Sequence, residues 1–286
     1  MPPRDDERSA RGSNRPPGSG REGAREEMPE EVWREGEVAA LKRPSEPALL
    51  LRLQRGPVRI GDAAVLDLTA AIGRPVGGPV DWAGRRYRLV RPSLSDLWAS
   101  MTRGPQIITP KDVGRILLIA SVGPGAKVGE AGAGSGALTI ALAHAVGPTG
   151  AVVSLDRRPE ALRIARANVE RAGLADRVTF VARDVAREGW PSKGQDAIVL
   201  DLADPWLALP PSLEALVPGG TLVTYVPTYN QLERIVRAMR EAGLADVEAL
   251  ELLERPIHVG EGGTRPAFEM LGHTGFLAAG RRLDRT

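Results

Sequence analysis

The run VGEAGAGSGALTIALAHAVGPTGAVVSLD, residues 128–156, decides how this chain folds. An apolar stretch leads into closely spaced glycines, a helix-forming segment follows, and a second apolar stretch ends in the carboxylate of Asp156. Gly132, Gly134 and Gly136 allow a sharp turn and a close approach of the backbone to a ligand. The pattern therefore predicts a strand, a ligand-binding turn, a helix and a second strand.

The same run predicts the kind of cofactor. Unpaired N–H groups at the start of the helix favour an anionic group, which in S-adenosylmethionine is the methionine carboxylate. Asp156 lies about 20 residues beyond the turn, where an acid can hold ribose hydroxyls. The glycines also fit the dinucleotide fingerprint G-x-G-x-x-G/A, so a dinucleotide-dependent oxidoreductase remains an alternative, as does a tight turn without a ligand. Glu130 before the loop and the motifs further along favour S-adenosylmethionine.

Composition excludes several classes of protein. The 286 residues are enough for one large domain and a small one. The chain has no cysteine and three histidines, so disulfides, thiolate zinc sites and cysteine nucleophiles are excluded and no metal site is expected. The polar N-terminus and the lack of a long apolar run predict a cytoplasmic protein without a membrane segment. The formal net charge of +2 is compatible with RNA binding but does not demand it.

Three regions follow one another along the chain. Residues 1–46 are rich in Pro, Gly, Ser, Arg and Glu, which predicts a disordered tail that contains at most a short helix over Glu31–Arg43. Residues 47–96 contain short apolar segments separated by Gly and Pro, which predicts a small β-rich module with a loop over Gly73–Gly84. Residues 97–286 form the predicted methyltransferase domain.

In the third region, predicted strands and helices alternate, which is typical of a parallel sheet covered by helices on both faces. The predicted strands are Lys127–Ala131, Ala151–Asp156, Val178–Ala182, Ala197–Asp201 and Thr221–Val226. Two further strands, near Val247–Leu253 and Gly275–Arg281, have no helix between them, so we expect them to pair antiparallel at one edge. The predicted fold class is α/β, a Rossmann-like doubly wound sheet with an antiparallel last strand.

Ligand sites in such sheets lie at the carboxyl ends of the strands. Four candidate groups fall there, namely the loop 132–136, Asp156, Asp184 and Asp201, and we expect them to form one ligand site. Asp184 taken alone also suits a helix cap.

The segment Asp201-Leu-Ala-Asp204-Pro205-Trp206 carries the predicted chemistry. A carboxylate at the end of the fourth strand would lie beside the reactive end of the cofactor. Trp206 offers an apolar face against which a base could pack, although a core tryptophan after a helix cap at Asp204 is an equal alternative.

The chain resembles the tRNA (adenine-N1)-methyltransferases, a class I family dependent on S-adenosylmethionine that modifies the T-loop adenine at tRNA position 58. The resemblance extends from about Gly56 to Leu283 and depends on several separated motifs. These motifs are Arg103–Asp112 (RGPQIITPKD), Glu130–Thr139 (EAGAGSGALT), Asp201–Trp206 (DLADPW), Pro227 with Gln231, and Arg265–Pro266 with Gly272–Leu277 (GHTGFL).

The resemblance implies roles for the matching residues. Asp201 would be the catalytic carboxylate. Trp206 and His273 are the candidate substrate contacts, although a hydrogen-bonded packing role is the main interpretation of His273. The methionine end, the ribose and the adenine ring of S-adenosylmethionine would be held by residues from several motifs. The implied cofactor-binding residues are Gln106, Gly132, Gly134, Ser135, Gly136, Ala137, Leu138, Asp156, Arg157, Asp184, Val185 and Asp201. The implied partners are tRNA, methylated at adenine 58 and also at 57, and further copies of the chain in a homotetramer.

Other functions are less consistent with the motifs. A methyltransferase of the same fold that acts on another RNA or on a protein is one alternative. An oxidoreductase would need a catalytic group such as Tyr-x-x-x-Lys, which the sequence lacks, and a non-catalytic subunit would have lost the loop and the acid. Thr109 and Ile257 replace the tyrosine and tryptophan that the family usually has, and these two departures bear on the choice of target. Gly129 replaces the usual apolar residue of the first strand.

Overall fold

The computed structural model describes residues 31–60, 64–102, 104 and 107–283. Within these ranges, a small antiparallel β module precedes a mixed seven-stranded sheet flanked by helices. Among the same residues, no helix combines the length and the apolar character needed to cross a membrane.

The N-terminal module is built from short antiparallel strands. They are β1 (Val38–Lys42), β2 (Leu49–Arg52), β3 (Pro57–Ile60), β4 (Ala64–Asp67), β5 (Pro79–Trp82) and β6 (Arg85–Val90). One sheet has the order β2-β1-β6-β5, and β3 pairs with β4 in a separate hairpin. Trp33, Leu41 and Leu89 are each 1% exposed and form the centre of the module's own apolar core.

Two predictions for this module are wrong. The helix predicted over Glu31–Arg43 is replaced by β1, so the ordered module begins before residue 47. Pairing with both β2 and β6 and burial of the central residues outweigh the helix preference of alanine and leucine. The loop predicted over Gly73–Gly84 contains β5, because Val80 and Trp82 alternate toward the core of the module.

The second region continues with helices and strands in alternation. Its elements are α1 (Leu94–Ala99), α2 (Pro110–Ile119), β7 (Lys127–Ala131), α3 (Ala137–Val146), β8 (Ala151–Asp156), α4 (Pro159–Arg171), β9 (Val178–Ala182), α5 (Val185–Glu188), β10 (Gln195–Leu200), α6 (Pro205–Ala215), β11 (Leu216–Val226), α7 (Tyr229–Glu241), β12 (Ala245–Glu251), β13 (Ile257–Gly260), β14 (Gly263–Pro266) and β15 (Phe276–Arg281).

The large sheet has the order β12-β15-β11-β10-β7-β8-β9. The strands from β11 through β9 run parallel, whereas β15 is antiparallel to both β11 and β12. The strand order reverses between β7 and β10, and ligands bind such sheets at the carboxyl ends beside that reversal. The predicted doubly wound sheet, with its last two strands paired antiparallel at one edge, is confirmed.

A two-stranded hairpin of β13 and β14 forms its own small sheet. Every residue of both strands is exposed, and the following segment also exposes large apolar side chains. The exposed apolar side chains of this surface, which we call the hairpin face, are Ile257, Val259, Phe268, Met270 and Leu271.

The glycine at position 129, where the family usually has an apolar residue, has a structural reason. An ideal Cβ placed on Gly129 would lie 2.7 Å from Cζ3 of Trp190 and 3.2 Å from Cγ1 of Ile198. The indole of Trp190 therefore occupies the space above β7 that a larger residue would fill, and its Nε1 donates to Ser212 Oγ at 3.1 Å.

This packing predicts a compensating pair of substitutions. We expect Gly129→Val to reduce the free energy of unfolding by about 1–3 kcal/mol through overpacking. In a Trp190→Leu background the same substitution should cost much less, because the clashing ring is absent. A double-mutant cycle measured by urea denaturation tests this coupling, and additive effects of the two substitutions would contradict it.

Candidate active site

The four predicted groups lie at one edge of the sheet. The loop 132–136 follows β7, Asp156 ends β8, Asp184 follows β9 and Asp201 follows β10. Because these strands are parallel and adjacent, their carboxyl ends lie side by side. The juxtaposition expected from the sequence is therefore observed.

The glycine loop passes against the end of β10. Gly132 has φ +101°, and a Cβ there would lie 2.1 Å from the carbonyl oxygen of Asp201. The Gly132 amide donates to Leu155 O at 2.8 Å, and the Asp201 amide donates to Ala131 O at 2.8 Å. The loop and the segment that carries Asp201 are thus held together by backbone contacts that leave no room for a side chain at Gly132.

The start of α3 contains a polar group without a partner. Ala137 and Leu138 form the first turn of the helix and are buried. Ser135, just before them, is 5% exposed, and its Oγ has no hydrogen-bond partner among the described residues. The carbonyl of Ser135 accepts a hydrogen bond from Asn168 Nδ2 at 2.8 Å, which holds the loop against α4. An orphaned hydroxyl beside free helical N–H groups suits a bound carboxylate.

Asp156 is buried and already well bonded. Its Oδ2 accepts from the Gly134 amide at 3.2 Å and from Arg158 Nη2 at 3.1 Å, and its Oδ1 accepts from Arg158 N at 2.9 Å. Burial acts to raise the pKa of Asp156, but the hydrogen bonds from Arg158 and Gly134 outweigh it and lower that pKa below its usual value. Asp156 is thus an anion at neutral pH. Sequence reasoning did not single out Arg158. Arg157, which it did predict, is exposed, and its contact with a cofactor stays a prediction.

Glu130 is a buried carboxyl group behind the loop. It is 1% exposed, and its Oε2 accepts hydrogen bonds from Thr139 Oγ1 and Ser154 Oγ, both at 2.5 Å. Its Oε1 has no hydrogen-bond partner among the described residues. Burial is the main reason that the pKa of Glu130 rises to about 7. The hydrogen bonds from the two hydroxyl groups lower this pKa, and the negative charges of Asp201 and Asp156 raise it further. The native state therefore holds a proton here at mildly acidic pH.

The protonation of Glu130 predicts a pH-dependent stability. Between pH 4.5, its usual pKa, and about 7, the folded chain binds a proton that the unfolded chain releases, so stability falls as pH rises. Glu130→Gln removes this slope, and its stability relative to the parent should increase by up to about 3 kcal/mol from pH 5 to 8.

Urea midpoints of the parent, Glu130→Gln and the exposed control Glu233→Gln, measured at several pH values, test this prediction. A Glu130→Gln difference that is constant across pH would contradict it.

Asp201 is an exposed residue at the rim, but protein atoms lie close around its carboxyl group. This desolvation is the main reason that the pKa of Asp201 rises to about 6; the charge of Asp156 adds to the rise and Arg158 opposes it. Asp201 is therefore mostly ionised at neutral pH yet close to its titration range.

The segment after Asp201 is tied to α7. Gln231 Nε2 donates to the carbonyl of Ala203 at 2.9 Å, and the guanidinium of Arg234 lies 3.9 Å from the ring centroid of Trp206. One face of the Trp206 indole is thus covered by a cation, and the ring also packs against the apolar core. Asp204 precedes α6 without a side-chain cap hydrogen bond.

Asp184 and Val185, two of the predicted cofactor-binding residues, have clear local roles. Asp184 caps α5, since its Oδ1 accepts from the Ala186 amide at 3.1 Å. Val185 is 3% exposed and packs in the core beneath the rim. Their contacts with a cofactor stay a prediction, as does that of Gln106, which lies outside the described residues.

The C-terminal motif is bonded within the chain. His273 Nδ1 lies 2.6 Å from Glu251 Oε1, and its Nε2 lies 2.8 Å from Pro227 O. Both partners are hydrogen-bond acceptors and therefore favour the protonated imidazolium. The Glu251 carboxylate has the larger effect and the Pro227 carbonyl the smaller one, and together they raise the pKa of His273. This geometry fits the structural role of His273, and contact with RNA stays a prediction.

A polar network joins two distant motifs. Asp112 is fully buried, and its carboxylate accepts hydrogen bonds from Thr109 Oγ1, Lys111 Nζ and Thr274 Oγ1 at 2.7–2.8 Å. Lys111 Nζ also donates to Thr274 Oγ1 at 2.7 Å. The Thr109 hydroxyl, where the family usually has tyrosine, thus anchors the start of α2.

Comparison with known proteins shows the family to which the chain belongs. Residues 89–263 match the family described as the tRNA methyltransferase complex GCD14 subunit. The chain is 36% identical over 223 residues to the tRNA (adenine(57)-N(1)/adenine(58)-N(1))-methyltransferase TrmI of Methanocaldococcus jannaschii, covering 69% of this chain and 79% of that protein. It is 35% identical over 199 residues to the tRNA (adenine(58)-N(1))-methyltransferase TrmI of Thermus thermophilus, covering 70% and 78%.

Solved structures share the fold. A SAM-dependent O-methyltransferase of Thermotoga maritima is 30% identical with a TM-score of 0.72, over 89% of this chain and 96% of that one. The tRNA (m1A58) methyltransferase TrmI of Aquifex aeolicus is 26% identical with a TM-score of 0.67, over 89% of this chain and all of that one. The sheet is therefore that of the class I methyltransferases.

Proposed function

Since this chain belongs to the tRNA methyltransferase complex GCD14 subunit family, we propose that it methylates N1 of adenine 58 in the tRNA T-loop, with adenine 57 as a second target. The observation that carries the proposal is the position of Asp201. Asp201 follows the carboxyl end of β10 beside β7, its backbone carbonyl lies against Gly132 of the glycine loop, and its carboxylate is mostly ionised at neutral pH. The reaction takes place in the cytoplasm, where tRNA is found.

The residues of the rim fit S-adenosylmethionine. The orphaned Ser135 hydroxyl and the N–H groups at the start of α3 suit its methionine carboxylate. The buried anion Asp156 suits its ribose hydroxyls, and Arg158, which is 66% exposed, can give up its hydrogen bonds to make room. Without a catalytic Tyr-x-x-x-Lys in the sequence, the same loop offers no support for an oxidoreductase.

The reaction needs little from the protein beyond position and charge. When bound, S-adenosylmethionine supplies an electrophilic methyl group, which adenine N1 takes by direct displacement. Attack by N1 places positive charge on the base. The carboxylate of Asp201 can accept a hydrogen bond from the exocyclic amine of the adenine and stabilise that charge.

The target base must leave the stack to reach Asp201, because its Watson–Crick edge is otherwise engaged. Trp206 borders the same segment, but Arg234 covers one of its faces. With one face covered, Trp206 is better placed to hold the Asp201–Trp206 segment in position than to stack with bases on both faces of its ring.

The proposed function is tested by incubating the full chain with labelled S-adenosylmethionine and unmodified tRNA transcripts, and mapping the product by nuclease digestion and mass spectrometry. N1-methyladenosine at position 58, absent from a transcript with A58 replaced by G, is the expected result. Methylation only of a base outside the T-loop would reject adenine 58 as the target, and no methylation although the cofactor binds would reject tRNA as the substrate.

A homotetramer is the second part of the proposal. The hairpin face supports it, because Val259 and Phe268 are 80% and 85% exposed, and apolar surfaces of this kind mark interfaces. The exposed edges of β13 and β14 can also pair with another copy.

Light scattering coupled to gel filtration should give four times the chain mass of 30.5 kDa. Val259→Asp should dissociate the assembly, whereas Leu118→Asp, at an exposed apolar residue of α2, should not. A monomeric parent protein would reject this part.

A further inference from the structure

An exposed aromatic ring stands beside the active-site rim. Tyr229 is the first residue of α7, three residues after the end of β11, and it is 69% exposed. Its ring rests on Phe276, with 4.4 Å between the ring centroids and 42° between the planes. A large aromatic side chain exposed to this degree and yet supported from beneath presents a flat apolar surface to solvent.

The support beneath Tyr229 is rigid. Phe276 is 3% exposed, and its other neighbour is the ring of His273, with 4.7 Å between centroids. His273 is itself held by Glu251 and by the carbonyl of Pro227. Phe276 therefore contacts both other rings; burial holds Phe276 in place, hydrogen bonds hold His273, and the exposed ring of Tyr229 is available to a ligand.

The ring is close in the fold to the catalytic segment. β11 neighbours β10, and Asp201 follows the end of β10. Two residues after Tyr229, Gln231 bonds the carbonyl of Ala203 within the Asp201–Trp206 segment. One turn further along α7, the exposed guanidinium of Arg234 covers Trp206. An aromatic platform with a cation nearby is the combination that binds unpaired nucleotides, the ring by stacking and the cation at phosphate.

We infer that Tyr229 stacks on an unpaired base of the tRNA loop next to the base that enters the active site. This inference rests on the proposed function and names one way in which the same site recognises its substrate. Stacking on a base depends on the aromatic ring and not on its hydroxyl, so the two properties can be separated by substitution.

The test compares Tyr229→Ala, Tyr229→Leu and Tyr229→Phe with the parent chain. Dissociation constants for an unmodified tRNA transcript and steady-state methylation are measured at one salt concentration. We expect Ala and Leu to raise Kd and KM for tRNA about tenfold, within the range found for loss of one stacked base. Phe should retain parent values, and kcat and the affinity for S-adenosylmethionine should stay unchanged in all three. Val65→Ala, at an exposed apolar residue of the N-terminal module, is the control.

Each other outcome overturns the inference in a distinct way. Parent values for all three variants would exclude contact with the RNA while the proposed function stands. A Leu variant equal to the parent would exclude stacking, and a change of assembly mass would assign the ring to a contact between copies. If the parent chain binds and methylates no tRNA, the proposed function and the inference fail together.

Discussion

Asp201→Asn is expected to lower kcat/KM for methylation of tRNA by about a hundredfold or more, while S-adenosylmethionine still binds. The amide has nearly the shape of the carboxylate but lacks its charge, so its one remaining oxygen can accept only a weaker hydrogen bond from the adenine amine and does not neutralise the charged base. Activity of the parent should also rise with pH through about 6, because burial raises the pKa of Asp201 to that value and only the ionised form stabilises the charged base.

This expectation is measured by steady-state kinetics from pH 5 to 8, with calorimetry for the cofactor. Asp176→Asn, which removes an acid that is 70% exposed and away from the rim, is the matched control. A variant that retains a tenth or more of the parent activity would show that Asp201 only positions the segment.

Gly132→Ala is expected to abolish cofactor binding and to reduce the free energy of unfolding by about 3 kcal/mol or more. The added Cβ would lie 2.1 Å from the carbonyl oxygen of Asp201, and φ +101° is a conformation that alanine rarely adopts. Relief requires the loop to separate from the end of β10, which breaks the hydrogen bonds that hold both.

The variant Gly134→Ala distinguishes the effect of backbone strain at positive φ from the effect of a steric clash of the added Cβ. Gly134 also has a positive φ, +53°, but a Cβ there would meet its nearest neighbour at 3.9 Å. The Gly134→Ala substitution should therefore reduce the free energy of unfolding by only about 1 kcal/mol. Urea denaturation of both variants decides the matter, and equal losses would mean that backbone conformation alone accounts for the effect of Gly132→Ala.

The parallel strands could be predicted from the sequence because each strand depends on a local pattern. An apolar run such as Ala151–Asp156, a helix opened by Pro159 and the glycines of the loop all act over a few residues. Once strands and helices alternate, parallel pairing follows, and Asp156 and Asp201 must reach the same edge.

The errors and omissions concern contacts between distant parts of the chain. β1 lies between β2 and β6, and local preference in Glu31–Arg43 pointed to a helix. Position 129 is a glycine because the ring of Trp190, 61 residues later in the chain, occupies the space of a side chain there, and no local sequence rule connects the two residues.

The sequence alone determined the fold class, the glycine loop, the acids at the strand ends and the motifs of the family, because turns, periodicity and short motifs are local properties of the chain. Only the tertiary structure decided the protonation of Glu130, the hydrogen bonds from Arg158 to Asp156 and the packing of the exposed Tyr229 ring on Phe276. These depend on burial and on distances across the fold, which arise only when separate segments pack together.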